Sequence, residues 1–356
     1  MRSSPGIRFK PIAKTSFPPP PPTFHQMEIL FRTKGSHKQG MGDVTSSLAL
    51  AGEFRRKGHE ISFIINKNDG VIHLIEKNGF DYSIGESLDE ITQCIEGRQN
   101  DVSVLIQLNT PEKEALIFKN NSGMLVTIDD TGQSAKMADM RFNVLYPIED
   151  SYTGFEYVTL SLVFQKKHTN NRVIKETVDN ILVLQGGSDT CGFIPKIVEA
   201  LFNVPENISM NVIIGPNFAH ERELDQVLQK ATRKFNIIRD IDDLSDLMLM
   251  ADVAITAGGI SLFELACLGV PAIVICGERF EEETAQRFQD EGFGVNLGFG
   301  RDVNEKAIYG ALKRLMVSFN SRTAMSERGK ALVDGRGIER ISERISRAFN
   351  SLNNKM

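Results

Sequence analysis

Cysteine is scarce and scattered. Cys94, Cys191, Cys267 and Cys276 lie far apart, and no two are spaced as CxxC. That argues against zinc ligation and a disulfide framework and fits a reducing compartment, so a cytoplasmic setting is expected. No apolar run approaches the roughly 18 residues a membrane span needs. Positive charge is not concentrated either: 41 lysines and arginines are spread along the chain against 46 acids, for a net charge of -5. A nucleic-acid groove needs a basic stripe, so that class of partner is not expected. Acids are missing altogether from the first 26 residues, which carry Arg2, Arg8, Lys10, Lys14 and the run Pro18 to Pro22. A proline run favours extended polyproline II and stays out of a packed core. Residues 1–26 therefore read as a disordered Pro-rich tail ahead of a folded protein beginning near Met27. An organelle-targeting segment is the alternative, given the basic, acid-free composition.

What is present is an ordinary globular composition, 41% hydrophobic and 24% charged over 356 residues, longer than one typical domain. From Met27, short apolar runs alternate with helix-length amphipathic segments. The runs are "EILF" (28–31), "EISFII" (60–65), "DVSVLI" (101–106), "GMLVTI" (123–128) and "FNVLY" (142–146). A polar, irregular stretch over 147–180 interrupts the pattern. It restarts with "ILVLQ" (181–185), "MNVIIG" (210–215), "FNIIRD" (235–240), "ADVAIT" (251–256), "PAIVIC" (271–276) and "GVNLG" (294–298), and 303–350 is helical in its spacing. Nearly continuous apolar strands separated by helices are the signature of a parallel sheet covered on both faces. The chain thus reads as α/β, with two doubly wound units, 27–165 and 166–350, facing across a cleft. In such folds ligands sit in the loops at the carboxyl ends of the strands.

Three of those loops could carry chemistry. "GMGDVTS" (40–46) joins the first strand to a helix and bears Asp43 between its glycines and the helix. Asp43 reads either as a functional carboxylate or as the helix N-cap, and the helix dipole is expected to keep it ionised. "LVLQGGSDTCGF" (182–193) opens the second unit; its glycines admit a ligand close to the backbone, while Ser188 or Asp189 could equally cap the helix. "ADVAITAGGISLFELACLGVPAIVI" (251–275) is the most specific. Its Gly258-Gly259 turn before a helix suits a diphosphate, and Glu264, one turn in, can accept hydrogen bonds from both hydroxyls of a ribose. The alternative makes Glu264 a first-turn acid favoured by the dipole. "DIDD" (240–243) reads as the cap of the helix that follows.

These stretches together resemble the nucleotide-sugar hydrolases of pseudaminic acid biosynthesis. That group includes spore-coat polysaccharide proteins of the same type and, more distantly, the peptidoglycan N-acetylglucosaminyl transferase. The resemblance runs from residue 27 to about 300 and is most specific over 251–275. It implies a GT-B fold, two Rossmann-like domains with the nucleotide held mainly by the C-terminal one. It implies that Gly258, Gly259 and Ser261 line the diphosphate and Glu264 holds the ribose. Gly186, Gly187, Ser188 and Asp189 then face the phosphates or sugar, Gly40 and Gly42 bring backbone against the ligand, and the Ile241 backbone meets uracil. Where the family keeps a loop histidine and, three residues on, an arginine, this chain has Asp43 and Ser46. Lys34 stands at the place of a common aspartate, "GFEYVTLSLVF" (154–164) lacks the family's junction arginine, and "CGERFEEETAQ" (276–286) offers acids for a glutamine.

The expected activity is a UDP-sugar hydrolase of surface polysaccharide or nonulosonic acid biosynthesis, cleaving the anomeric C–O bond to release UDP. Asp43, or His37 in the same loop, would take the histidine's place as base. A GT-B glycosyltransferase and a catalytically silent nucleotide-sugar-binding protein are the alternatives. No cofactor or metal is expected; the partner is a nucleoside-diphosphate sugar.

Overall fold

The computed structural model describes residues 26–36, 40–170, 172–215, 218–239, 241 and 243–353. The first unit carries strands β1 (Glu28–Thr33), β2 (Glu60–Ile65), β3 (Asp81–Ile84), β4 (Asn100–Ile106), β5 (Ser122–Ile128) and β6 (Met140–Phe142). Its helices are α1 (Gly42–Arg56), α2 (Asp69–Lys77), α3 (Leu88–Ile95) and α4 (Glu112–Asn120), with α5 (Leu162–His168) in the connection. The second unit carries β7 (Asn180–Val183), β8 (Ser209–Ile213), β9 (Asn236–Ile238), β10 (Val253–Thr256), β11 (Ala272–Cys276) and β12 (Val295–Phe299). Around them lie α6 (Phe193–Ala200), α7 (Glu221–Lys230), α8 (Ser245–Met250), α9 (Ile260–Leu268) and α10 (Glu281–Asp290). The chain closes with α11 (Glu305–Val317), α12 (Phe319–Leu332) and α13 (Gly337–Asn353).

Both sheets are parallel and share one topology, β3-β2-β1-β4-β5-β6 and β12-β11-β10-β7-β8-β9. Strand order reverses between β1 and β4 and between β7 and β10. Those are the switch points where a doubly wound sheet leaves a crevice at its carboxyl edge. The loops after β1, β7 and β10, singled out by their glycines, therefore lie at the two switch points.

Side chains alternate across the first sheet as a period of two requires. Ile29 and Phe31 face one buried cluster, while Leu30 faces another with Ile64, Leu105 and Leu125 under α3 and α4. The first cluster does not stop at the unit boundary. It continues through Phe155, Tyr157, Val158 and Leu160 of the connection into Phe263 and Phe288 of the second unit. Phe155 stacks on Phe288 with ring centroids 4.5 Å apart. The polar-looking connection is thus an apolar seam.

Two expectations about elements change. "FNVLY" does not form a strand beyond Phe142, because the N–H groups of Val144 and Leu145 go to the Asp129 carboxylate and not to a ladder. The short edge strand β3, "DYSI", has too little apolar character to be read from its pattern; its Ile84 is exposed. The last helix, α13, leaves the second unit and packs back against α1. Lys57 Nζ donates to Ser342 Oγ at 2.7 Å and Arg344 Nε to the Tyr157 hydroxyl at 2.8 Å.

Candidate functional site

On the first-unit side, Gly40 adopts φ 80°, and Ser36 and Gly40 exchange backbone hydrogen bonds, pinching the loop before α1. Only glycine enters that conformation cheaply. Asp43 is not the N-cap: the helix starts at Gly42, Met41 holds the capping position, and no side chain caps it. Nor does the dipole keep Asp43 ionised. Burial of its carboxyl, with Asp129 and then Asp130 close by, raises its pKa to about 7. Desolvation and like charge outweigh a dipole effect of about 1 kcal/mol. His37 lies outside the described residues. Lys34 is paired to Glu114 at 3.0 Å, beside the buried Arg32–Glu114 pair at 2.7 Å. Ser46 is buried in α1.

Asp129 and Asp130 follow β5, and pattern reading passed over them. The signal was there, a pair of acids ("IDD", 128–130) directly after a buried strand at the ligand edge of the sheet. Asp129 sits at φ 53° and accepts the N–H groups of Val144 at 2.8 Å and Leu145 at 2.9 Å. Burial still raises its pKa to about 6, against the bonds from Leu145, Val144 and Tyr146 that favour the charged form. Asp130 ties two loops together through the N–H groups of Gly132 and Thr110 at 2.8 and 3.2 Å. Tyr146 stands among these acids and Glu281 of the second unit; burial and then Asp129, Asp43 and Glu281 push its pKa far up. Its ring meets Phe280 edge-on at 5.2 Å.

The second-unit side keeps its glycines for a reason of space. A β-carbon on Gly215 would stand 2.3 Å from Gly187 O, and one on Gly258 2.7 Å from Glu281 Cβ. Gly186 has φ 66°. Asp189, expected among ligand contacts or as a cap, accepts hydrogen bonds at the start of α6. Its two oxygens accept the N–H groups of Phe193 and Ile194, each at 2.8 Å, which commits the carboxylate to the helix. Ser188 is different: its buried hydroxyl has no partner among the described residues, and the same holds for Gln185 Nε2 and Thr256 Oγ1. Unpaired buried polar groups cost about 1–3 kcal/mol, so three beside one crevice call for an explanation.

Helix α9 begins over Gly259 without a side-chain cap, leaving its first N–H groups to an external acceptor. Ser261 is buried in that first turn. Glu264 is half-buried one turn in, and burial followed by the charge of Asp243 raises its pKa to about 7. Asp243 itself accepts from Ser245 N at 2.9 Å at the start of α8, as the capping reading expects. Asp240 and Asp242 lie outside the described residues, and the Ile241 side chain is exposed.

Between the units lies a cavity of about 400 Å³, lined by Asn109 and Thr131 on one side, Arg279, Phe280 and Glu283 on the other, and Tyr146 between them. The connection 154–164 carries no arginine, and an arginine of the second unit reaches it. Arg287 of α10 donates to Val144 O and Thr153 O at 3.0 and 2.7 Å and lies 4.6 Å over the Phe155 ring. Among the described residues, no three His, Cys, Asp or Glu side chains are grouped so as to hold a metal ion. No described helix is long and apolar enough to cross a membrane.

Residues 180–331 match the C-terminal domain of glycosyltransferase family 28. The spore coat polysaccharide biosynthesis protein SpsG of Bacillus subtilis is 28% identical over 332 residues, 89% of this chain and 97% of that protein. Among solved structures, Acinetobacter baumannii MurG superposes with a TM-score of 0.65 at 12% identity, over 90% of this chain and 99% of that one. The UDP-GlcNAc 2-epimerase of Neisseria meningitidis, solved with UDP-GlcNAc bound, gives 0.61 at 12% identity over 90% and 99%. The fold is GT-B, and residues 180–331 are similar to a glycosyltransferase C-terminal domain.

Proposed function

We propose that this protein binds a nucleoside-diphosphate sugar, foremost a UDP-sugar, across the cleft and transfers the glycosyl group to water, releasing UDP. In this reading Gly258, Gly259 and Ser261 receive the diphosphate and Glu264 the ribose hydroxyls. Gly186, Gly187 and Ser188 approach from the other switch-point strand, the Ile241 backbone meets the base, and Gly40 and Gly42 meet the sugar. The likeness to a spore coat polysaccharide protein and to an epimerase that holds UDP-GlcNAc supports the ligand class.

The observation that carries a reactive role is the carboxyl of Asp43, raised to about 7 beside Asp129 in the cleft. A base poised near neutrality combines an adequate ionised fraction with the strength to take a proton. Asp43 removes the proton of a water molecule as its oxygen bonds to the anomeric carbon. The bond from that carbon to the phosphate oxygen breaks, and its electron pair leaves with UDP. The 400 Å³ cavity beside Tyr146 supports a second reading, in which an acceptor hydroxyl takes the place of water.

The test incubates the protein with UDP-, GDP- and CMP-sugars, reading thermal shift and nucleotide release with and without candidate acceptors. Release of UDP without acceptor is expected; no shift with any sugar nucleotide overturns the reading. Glu264→Ala is expected to weaken binding about 10–100-fold through loss of two charged hydrogen bonds. Asp43→Asn is expected to keep binding and cut turnover by about 10²–10⁴-fold.

A further inference from the structure

Glu281, the first residue of α10, turns its side chain back over the Gly258–Gly259 turn. One carboxylate oxygen accepts the N–H of Gly277 at 2.7 Å and those of Gly258 and Glu278 at 3.3 Å. A β-carbon on Gly259 would lie 3.3 Å from the other oxygen. Converging backbone N–H groups at the ends of two adjacent parallel strands, β10 and β11, form an anion-binding concavity. Here the anion in it is the protein's own.

The groups facing this carboxylate do not neutralise it. They are Cys276 at the end of β11, Glu278 in the same loop, and Tyr146 of the first unit, on which the charges of Asp43 and Asp129 also act. Glu282, on α10, faces the same Cys276 thiol, and Arg279 is turned outward to Glu282 and Asp302. Burial holds the Glu281 carboxyl above its usual range despite the three N–H groups. After the neighbouring strand β7 and at the end of β10, the Ser188 and Thr256 hydroxyls stay buried without a partner among the described residues, so Glu281 fills only part of a larger polar seat.

We propose that Glu281 is a resident anion in the diphosphate seat, and that a nucleotide sugar binds by displacing this carboxylate from the Gly258 and Gly277 N–H groups. The inference rests on the reading of the Gly258–Gly259 turn as the diphosphate site. While the seat is empty of ligand, Glu281 satisfies N–H groups that would otherwise be stranded and holds the turn in shape. When the diphosphate arrives, two anions cannot share the same donors, and protonating the carboxyl weakens its hold. Affinity therefore rises as pH falls, and removing the charge at position 281 strengthens binding.

The experiment is calorimetric titration with UDP-N-acetylglucosamine, whose diphosphate diester keeps both charges over the range used. It compares the wild type with Glu281→Gln, Glu281→Ala and Asp43→Asn at about pH 6 and about pH 8. Both Glu281 variants are expected to bind at least about fivefold tighter than the wild type at the higher pH, with the gap narrowing at the lower pH as the wild-type carboxyl takes up its proton; Asp43→Asn is expected to bind as the wild type does. If the wild type binds and the Glu281 variants, folded by their melting profiles, bind equally or more weakly, the displacement idea fails and the site stands. If none binds at either pH, the site reading fails and takes this inference with it.

Discussion

Asp43 keeps its proton to about pH 7 in the folded chain, against 3.8 for an ordinary aspartate carboxyl. The folded state therefore binds more protons, and stability falls as pH rises from about 4 to about 7, where the unfolded chain ionises first. A full shift of that size corresponds to about 4 kcal/mol, which the partial solvent contact of Asp43 reduces to about 2. Asp43→Asn is thus expected to melt several degrees above the wild type near pH 8 and alongside it near pH 4, by calorimetry at both pH values. The same proton sets the activity: turnover should climb as pH passes through about 7, with Asp129→Asn moving that limb downward by removing a neighbouring negative charge. A limb that stays in place in Asp129→Asn disproves the pairing. The glycine turns around these residues were legible in the sequence because a strand, two glycines and a helix announce a ligand loop. The protonation state of Asp43 was not, because Asp129 lies 86 positions away along the chain and meets it only when the sheet is assembled.

At the scale of elements, α10 and the segment 143–146 explain both what was readable and what was not. Apart from "FNVLY", every apolar run read as a strand forms one, because burial on both faces imposes that composition. "FNVLY" shares the composition and has a different fate. Its N–H groups are drawn to Asp129, while its carbonyls receive donors from α10, Thr284 Oγ1 to Leu145 O at 2.6 Å and Arg287 to Val144 O at 3.0 Å. Composition cannot distinguish a ladder from such a strap, since both partners are remote in sequence. Arg287→Ala strands two carbonyls and removes a cation from the Phe155 face, so a loss of about 2–3 kcal/mol is expected in urea unfolding. Phe288→Ala, which opens the stack under the same helix, is expected to cost about 3–5 kcal/mol.

Taken whole, the molecule crosses between its units twice, once through the apolar seam at 155–164 and again where α13 returns to α1. Ile338, Ile341, Ile345 and Phe349 of α13 are all buried. Burial of each is worth about 1.5–3 kcal/mol, a sum comparable to the entire stability of an ordinary domain. A chain ending at Arg336 is therefore expected to lose cooperative unfolding of its first unit, seen as a lowered and broadened transition in circular dichroism. A separately produced 27–165 segment should fail for the same reason. The double crossing also governs how the cleft can move. One connection between two bodies lets them twist, tilt and slide, whereas two connections favour rotation about the line that joins them. What remains is rotation about that line, like a book on its spine. Spin-label pairs spanning the mouth should then lengthen and shorten in fixed proportion as nucleotide sugar is added; proportions that vary from pair to pair would rule out a single axis.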